Sequence, residues 1–177
     1  NAIHIAVEDL FSATGFIIDN AAELGIDTGN IVLMGSSAGA ISVLQAEYEL
    51  CNGSLWAQVL PEGFNYKGVV SLAGAILSRN GALKYAKAPC PMLLFHGTAD
   101  KVVNYKQTKF FKIGWYGSNT IASVCRKNGY NHCIYRYEGA RHEIAGSGLE
   151  NLPAIMEFLE VNVSDGIARN IDATVTD

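Results

Sequence analysis

Charge is scarce in this sequence. Of 177 residues only 17% are Asp, Glu, Lys or Arg, against roughly 25% in an average globular domain. So low a fraction points to a surface that is partly covered by something else. The net charge is −4, and no run of Lys or Arg stands out. Nucleic acid and anionic membrane are therefore poor guesses for partners. Long hydrophobic runs are also lacking. The longest nearly apolar stretch, 68–77, falls far short of the roughly 18 residues that a spanning helix needs, so no membrane span is expected. Cysteine is sparse: Cys51, Cys90, Cys125 and Cys133 form no C-x-x-C pair, which argues against a zinc site. Two disulfides are arithmetically open, but four buried thiols are the plainer expectation. No signal-peptide pattern is visible. An initiator Met is missing too. The chain opens on Asn1-Ala2 and runs straight into a helical pattern, so a segment upstream is expected to have been lost.

What is present is apolar. Residues of the AVILMFWYC set make up 49%, enough to build a core and to exclude disorder. At this length one domain is expected. Residues 3–24 carry helical periodicity through Ile3, Val7, Leu10, Phe11, Phe16, Ile17, Ala21 and Leu24, with Gly25 as the closing residue. Short apolar runs at 31–34, 67–72, 91–96 and 132–137 read as buried strands. Between and after them, 38–49, 118–128 and 152–161 read as helices. Residues 164–177 have no clear pattern and are expected to form a mobile tail. Strands alternating with helices imply crossovers and a mainly parallel sheet. The expected class is one α/β domain over 1–177, a parallel sheet of about four strands flanked by helices.

The strongest chemical signal is Gly35-Ser36-Ser37-Ala38-Gly39, a G-x-S-x-G pattern between a buried strand and a helix. A serine there occupies a sharp, strained turn that projects its hydroxyl from the top of the sheet. Flanking glycines let strand and helix approach, and the next residue's N–H faces a developing oxyanion. The plainer reading is a glycine-rich structural turn. A hydroxyl needs a base, and the base an orienting acid. Asp100 lies just past the strand 91–96, on the side where active sites form in such sheets. Glu138 is a weaker alternative. His142 follows the strand 132–137 and is the base candidate. His4 lies in the opening helix and His132 starts a strand at the wrong end. His96 ends a strand, where a structural hydrogen bond is its expected role.

The order Ser37, Asp100, His142, with gaps of 63 and 42 residues, is the order of the α/β-hydrolase fold. With Gly35-Ser36-Ser37-Ala38-Gly39, His96-Gly97-Thr98-Ala99-Asp100 and His142 after the last strand, the chain resembles the α/β-hydrolase superfamily over residues 3–163. More narrowly it resembles the lipase and carboxylesterase branch. The resemblance implies Ser37 as nucleophile, His142 as base and then acid, and Asp100 as the group that holds the imidazole. It implies the Ala38 N–H as one oxyanion donor. The reaction it implies is acyl transfer from a small-molecule ester to water, with no metal and no cofactor.

The family's sheet usually has eight strands, with the nucleophile after the fifth. Here only the C-terminal half is expected, without the first strands or the upstream loop that supplies a second oxyanion donor. Strand 31–34 would then be an exposed apolar edge, which invites pairing. A homo-oligomer, or a missing N-terminal segment covering that edge, is the expected partner. Loss of one oxyanion donor would make the chain feeble alone. Val103, Phe110, Trp115 and Tyr116 are candidates for a substrate pocket or for the core. Two other readings stay open: a non-catalytic binding module on a degenerate scaffold, and a serine peptidase or acyltransferase on the same fold.

Overall fold

The computed structural model describes residues 2–176. In chain order its main elements are α1 (Ala2–Asp19), α2 (Ala21–Leu24), β1 (Val32–Ser36), α3 (Ala38–Cys51), β2 (Gly68–Leu72) and β3 (Ala75–Ser78). There follow β4 (Met92–Gly97), β5 (Gln107–Phe110), β6 (Ile113–Gly117), α4 (Ser118–Asn128), β7 (His132–Tyr137), α5 (Leu152–Phe158) and β8 (Ile171–Val175). Five strands form one sheet in the order β1-β2-β4-β7-β8, and every pairing in it is parallel. A smaller antiparallel sheet has the order β3-β6-β5.

The main sheet is built by burial. Every residue of β2 and β4 is buried, so these strands read as continuous apolar runs rather than as alternation. Their two faces feed two apolar clusters. One gathers Val69, Met92, Leu94 and Ile134 with side chains of α1, α3 and α4. The other gathers Val70, Leu93, Phe95 and Cys133 with Ile155 and Phe158 of α5. α1 packs on α3 along a narrow stripe of Val7, Phe11 and Thr14, spaced i, i+4 and i+7. Phe16 is 64% exposed because five residues beyond Phe11 is about 140° around the helix. The wide stripe expected over 3–24 is thus narrower, and the helix breaks at Asn20 before Gly25 ends it with φ 66°. α4 closes at Gly129 with φ 71°. Both glycines occupy the left-handed region that a C-terminal cap requires.

The sheet has five strands where about four were expected. The fifth is β8, inside the segment expected to be a mobile tail. It pairs in parallel with Cys133–Tyr137, and Asp172 anchors it by ion pairs with Arg126 and Arg136. Ile171-Asp172-Ala173-Thr174-Val175 alternates apolar and polar, the period of a half-buried edge strand. No apolar run marks it. The small sheet was also unforeseen, because β5 is exposed along its whole length. β1 is an edge of the main sheet, as expected, and Met34 is 53% exposed.

The four cysteines are free thiols, with Cys51, Cys125 and Cys133 buried. Cys51 and the Cys90 amide both donate to one oxygen of Glu47, at 3.2 and 2.8 Å. Glu47 is 3% exposed. Burial pushes its carboxyl up from the ordinary 4.5, against the hydrogen bonds from Cys90 and Cys51 that pull it down. The fold therefore retains a proton that the unfolded chain loses once the pH passes 4.5. From there up to the raised folded value, Glu47 erodes stability as pH rises. Glu47→Gln keeps an acceptor for the Cys90 amide and removes the titration. Its stability relative to the parent chain, from urea unfolding at pH 5 and pH 7, is expected to increase with pH. A difference that does not change with pH would mean that Glu47 is ionised in the fold.

Candidate active site

Three loops meet at the C-terminal ends of β1, β4 and β7. The first turns at Ser37, between β1 and α3, with φ 51° and ψ −117°. A serine at positive φ is strained, at a cost of about 1–3 kcal/mol. Backbone bonds on both sides hold it: Ser37 N donates to the Leu72 carbonyl at 2.9 Å, and Ile41 N donates to the Ser37 carbonyl at 3.0 Å. A Cβ at Gly35 would stand 2.4 Å from the Gly39 carbonyl group and 2.7 Å from Ala40 N, so only glycine fits there. A Cβ at Gly39 would meet nothing within 4 Å. Close approach of strand and helix therefore demands the first glycine of the pattern and not the second. Ser37 stands at a helix N-cap, where a serine hydroxyl usually binds the first-turn amides. Here it makes no such bond, and its Oγ lies 2.8 Å from His142 Nε2. The Ala38 N–H belongs to the first helical turn, whose amides have no intrahelical acceptor, and Ala38 is exposed.

The second and third loops are laced together. Thr98 N donates to the Tyr137 carbonyl at 3.0 Å and Ala99 N to the Ala140 carbonyl at 2.9 Å. Gly139 N donates to Thr98 Oγ1 at 2.9 Å. A Cβ at Gly97 would lie 2.3 Å from the Arg141 carbonyl oxygen, so the loops close only over a glycine. Ser36 Oγ donates to the Ala145 carbonyl at 2.5 Å, which ties the first loop to the turn that carries His142. Within this lacing His142 Nδ1 lies 2.8 Å from Asp100 Oδ2. The structure thus brings Ser37, His142 and Asp100 into one hydrogen-bonded line.

Asp100 is 5% exposed. Burial is the largest influence on its carboxyl and pushes it up, but hydrogen bonds from His142, Val103 N and Val102 N together hold it below its ordinary value. The two amides reach Oδ1 at 3.0 and 2.8 Å. The carboxylate is charged, and Oδ2 is left for His142. His96 also comes within 3.3 Å of Oδ2. Its Nε2 lies closer to the Val103 carbonyl, at 2.9 Å, and its Nδ1 lies 2.7 Å from Ser118 Oγ. A carbonyl only accepts, so Nε2 carries the proton and Nδ1 accepts from Ser118. Burial is the main cause that keeps His96 below its ordinary pKa. It is a neutral core histidine that joins β4 to α4, the structural role expected of it.

The remaining candidates fall elsewhere. Glu138 is exposed, and no hydrogen bond joins it to His142. Glu143 accepts from the Arg141 amide at 2.9 Å instead of contacting His142. His4 packs at a tilt against Trp56 with ring centroids 4.2 Å apart. His132 Nδ1 bonds to the Tyr130 carbonyl at the far end of β7. Among the described residues no group of three or more His, Cys, Asp or Glu side chains could hold a metal ion.

Val102 and Val103, whose amides bind Asp100, help to line a hollow of about 260 Å³. Ile41, Ala75, Val102, Val103, Thr108 and Trp115 line most of it. Of the four pocket candidates, Val103 and Trp115 line this hollow. Tyr116 is core: it is 1% exposed, and its hydroxyl donates to the Gly81 carbonyl. Phe110 is 74% exposed on the outside. The reading of the sequence missed Ile41 and the loop after β2. There Ala73 has φ 56° and a Cβ at Gly74 would lie 2.8 Å from Ala40 Cβ. A Gly directly after a buried strand was the available signal.

Residues 4–163 match the model of the Phospholipase/Carboxylesterase family. No curated protein matches the chain. Among solved structures, a truncated form of a carbohydrate esterase from gut microbiota superposes with a TM-score of 0.61 at 15% identity, over 87% of this chain and 67% of that one. A Mycobacterium tuberculosis puromycin-hydrolysing peptidase superposes with a TM-score of 0.58 at 18% identity, over 96% of this chain and 27% of that one. The esterase PE8 gives 0.49 at 20% identity, and the match spans 57% of its length. At these identities the first two likenesses show the fold alone, a parallel sheet with flanking helices. With the family match running through nearly the whole chain, this protein belongs to the phospholipase/carboxylesterase family.

Proposed function

We propose that this chain is a serine hydrolase that cleaves carboxylic esters through an acyl-enzyme. The observation that carries the reading is the line from Ser37 Oγ through the His142 ring to Asp100, with steps of 2.8 and 2.8 Å. These are the distances at which a base takes a proton from a nucleophile. His142 Nδ1–H donates to the charged Asp100, which leaves Nε2 free to accept the Ser37 proton. Ser37 Oγ attacks the ester carbonyl. The oxyanion takes a hydrogen bond from the Ala38 N–H. His142 then passes its proton to the leaving alcohol, the acyl group stays on Ser37, and water repeats the sequence to release the acid. The hollow lined by Val103, Trp115 and Ile41 would receive an apolar part of the substrate. Family membership supports the ester class over the amide class.

Among the described residues no strand lies beside the outward amides and carbonyls of β1, which is an edge of the main sheet. We propose that this edge pairs with another strand, in a second copy or in further chain. Sedimentation velocity is expected to show concentration-dependent dimers that Met34→Lys disperses; a monodisperse monomer at high concentration would sink the idea.

A fluorophosphonate followed by intact mass tests the chemistry. One adduct is expected on the parent chain and none on Ser37→Ala. In Asp100→Asn, which spoils the histidine tautomer, the labelling rate is expected to fall by on the order of 10³–10⁴-fold. A folded parent chain that takes no label would overturn the reading in favour of a non-catalytic binding module.

A further inference from the structure

The β5–β6 hairpin has no part in the chemistry above, and it is the most exposed apolar feature near the site. Phe110 is 74% exposed and Phe111, at its tip, 89%. Their rings meet edge-on at 4.8 Å. Val102 is 74% and Ile113 49% exposed. Phe111 has φ 52°, a conformation that a bulky side chain adopts at a cost. The hairpin is nonetheless tied down: Gly81 N donates to the Lys112 carbonyl at the tip at 2.7 Å, and Gly117 N to the Lys106 carbonyl at the base at 2.6 Å. This is an ordered hairpin that holds two phenylalanines in water.

Lysine is frequent in this segment. Lys101, Lys106, Lys109 and Lys112 are all exposed, and no Asp or Glu occurs between Asp100 and Glu138. Among the described residues none of the four pairs with a carboxylate. Apolar and polar residues separate them in the chain, so no basic run is visible, and the expectation that an anionic membrane is a poor partner rested on that. Lys109 and Lys112 flank the Phe110–Phe111 tip in the chain, and Lys101 and Lys106 precede the first strand of the hairpin, in a protein whose net charge is −4.

Cross-strand pairing extends the surface to the site. Phe110 stands opposite Ile113, and Thr108 opposite Trp115, so these four share one face of the hairpin. Thr108 and Trp115 also line the hollow, together with Val102. One apolar strip thus runs from the exposed tip into that hollow.

We propose that the β5–β6 hairpin docks the protein on an anionic phospholipid surface. Phe110 and Phe111 enter the acyl boundary, and Lys109 and Lys112, which flank them in the chain, reach the lipid phosphates. Bare aromatic rings flanked by ammonium groups that pair with no carboxylate, although Lys109 Nζ lies over the Tyr116 ring at 5.3 Å, are complementary to such a leaflet. The strip would lead an acyl chain towards Ser37. That last step rests on the ester-hydrolase reading, whereas docking does not.

Vesicle co-sedimentation of the Ser37→Ala chain tests docking without consuming lipid. Binding to phosphatidylglycerol vesicles, absent on phosphatidylcholine and weakened by salt, is expected. A lysine near an anionic leaflet strengthens binding about fivefold, so Lys109→Glu with Lys112→Glu is expected to weaken it more than tenfold. Phe110→Ser with Phe111→Ser is expected to weaken it at least tenfold, with unchanged circular dichroism. In chains that retain Ser37, both pairs of changes are expected to leave the fluorophosphonate adduct in place. No binding to phosphatidylglycerol vesicles, or binding that neither pair alters, would overturn the proposal. So would a lipid-free dimer that the phenylalanine changes dissolve, since a second copy would then occupy the tip. Vesicle binding by a chain that takes no fluorophosphonate would leave docking standing and remove the hydrolase reading alone.

Discussion

Two backbone contacts that leave no space for a side chain hold the site together. At Gly35 the strand end lies against the Gly39 and Ala40 backbone, and at Gly97 it lies against the Ala140 and Arg141 carbonyls. The first contact brings α3 down onto β1, so the chain must turn at Ser37 with a positive φ. The second brings the loop of Asp100 onto the loop of His142. Main-chain bonds from Thr98 and Ala99 then lock the two loops. The side-chain geometry follows from these backbone approaches. Ser37 cannot relax into an ordinary capping serine without losing its bonds to Leu72 and Ile41, which is how a strained conformation persists.

The electrostatics depend on the same packing. Asp100 is buried between two histidines, and its fate is decided by which groups reach which oxygen. The Val102 and Val103 amides occupy Oδ1, so the carboxylate remains charged despite burial. His96 is satisfied by Val103 and Ser118, which leaves Oδ2 to His142. A buried charge without such partners would be costly. Glu47 shows the opposite outcome a short way along α3. Burial dominates over its hydrogen bonds there, and its carboxyl is pushed up. Two buried acids in one small protein are thus shifted in opposite directions.

The small antiparallel sheet separates the two surfaces of this molecule. Its inner side carries Tyr116 into the core, and its other face carries Trp115 and Thr108 into the hollow that Val102 and Val103 help to line. Beyond the hollow the apolar face continues into water at Ile113 and Phe110. Scarce charge in the sequence as a whole coexists with a local excess of lysine on this hairpin, because the acidic residues lie elsewhere in the chain.

Much of this architecture was legible in the sequence. The buried strands β1, β2, β4 and β7 announce themselves as apolar runs, since a strand covered on both faces has no polar side to interrupt it. The order Ser37, Asp100, His142 was legible because each follows one of those strands, and strand ends in a parallel sheet gather on one side. The strands β5, β6 and β8 were not: β8, a half-buried edge, carries only a short alternation, β5 carries none, and β6, the middle strand of the small sheet, is interrupted by Gly114. The conformational need for Gly35 could be read from G-x-S-x-G, whereas the freedom at Gly39 could not. It depends on which way a Cβ would point once the helix is docked. Chain order alone determined which residues could meet. The tertiary structure decided that Ser37 Oγ faces His142 rather than its own helix and that His96 is spent in the core, since these are distances through space between residues far apart in the chain.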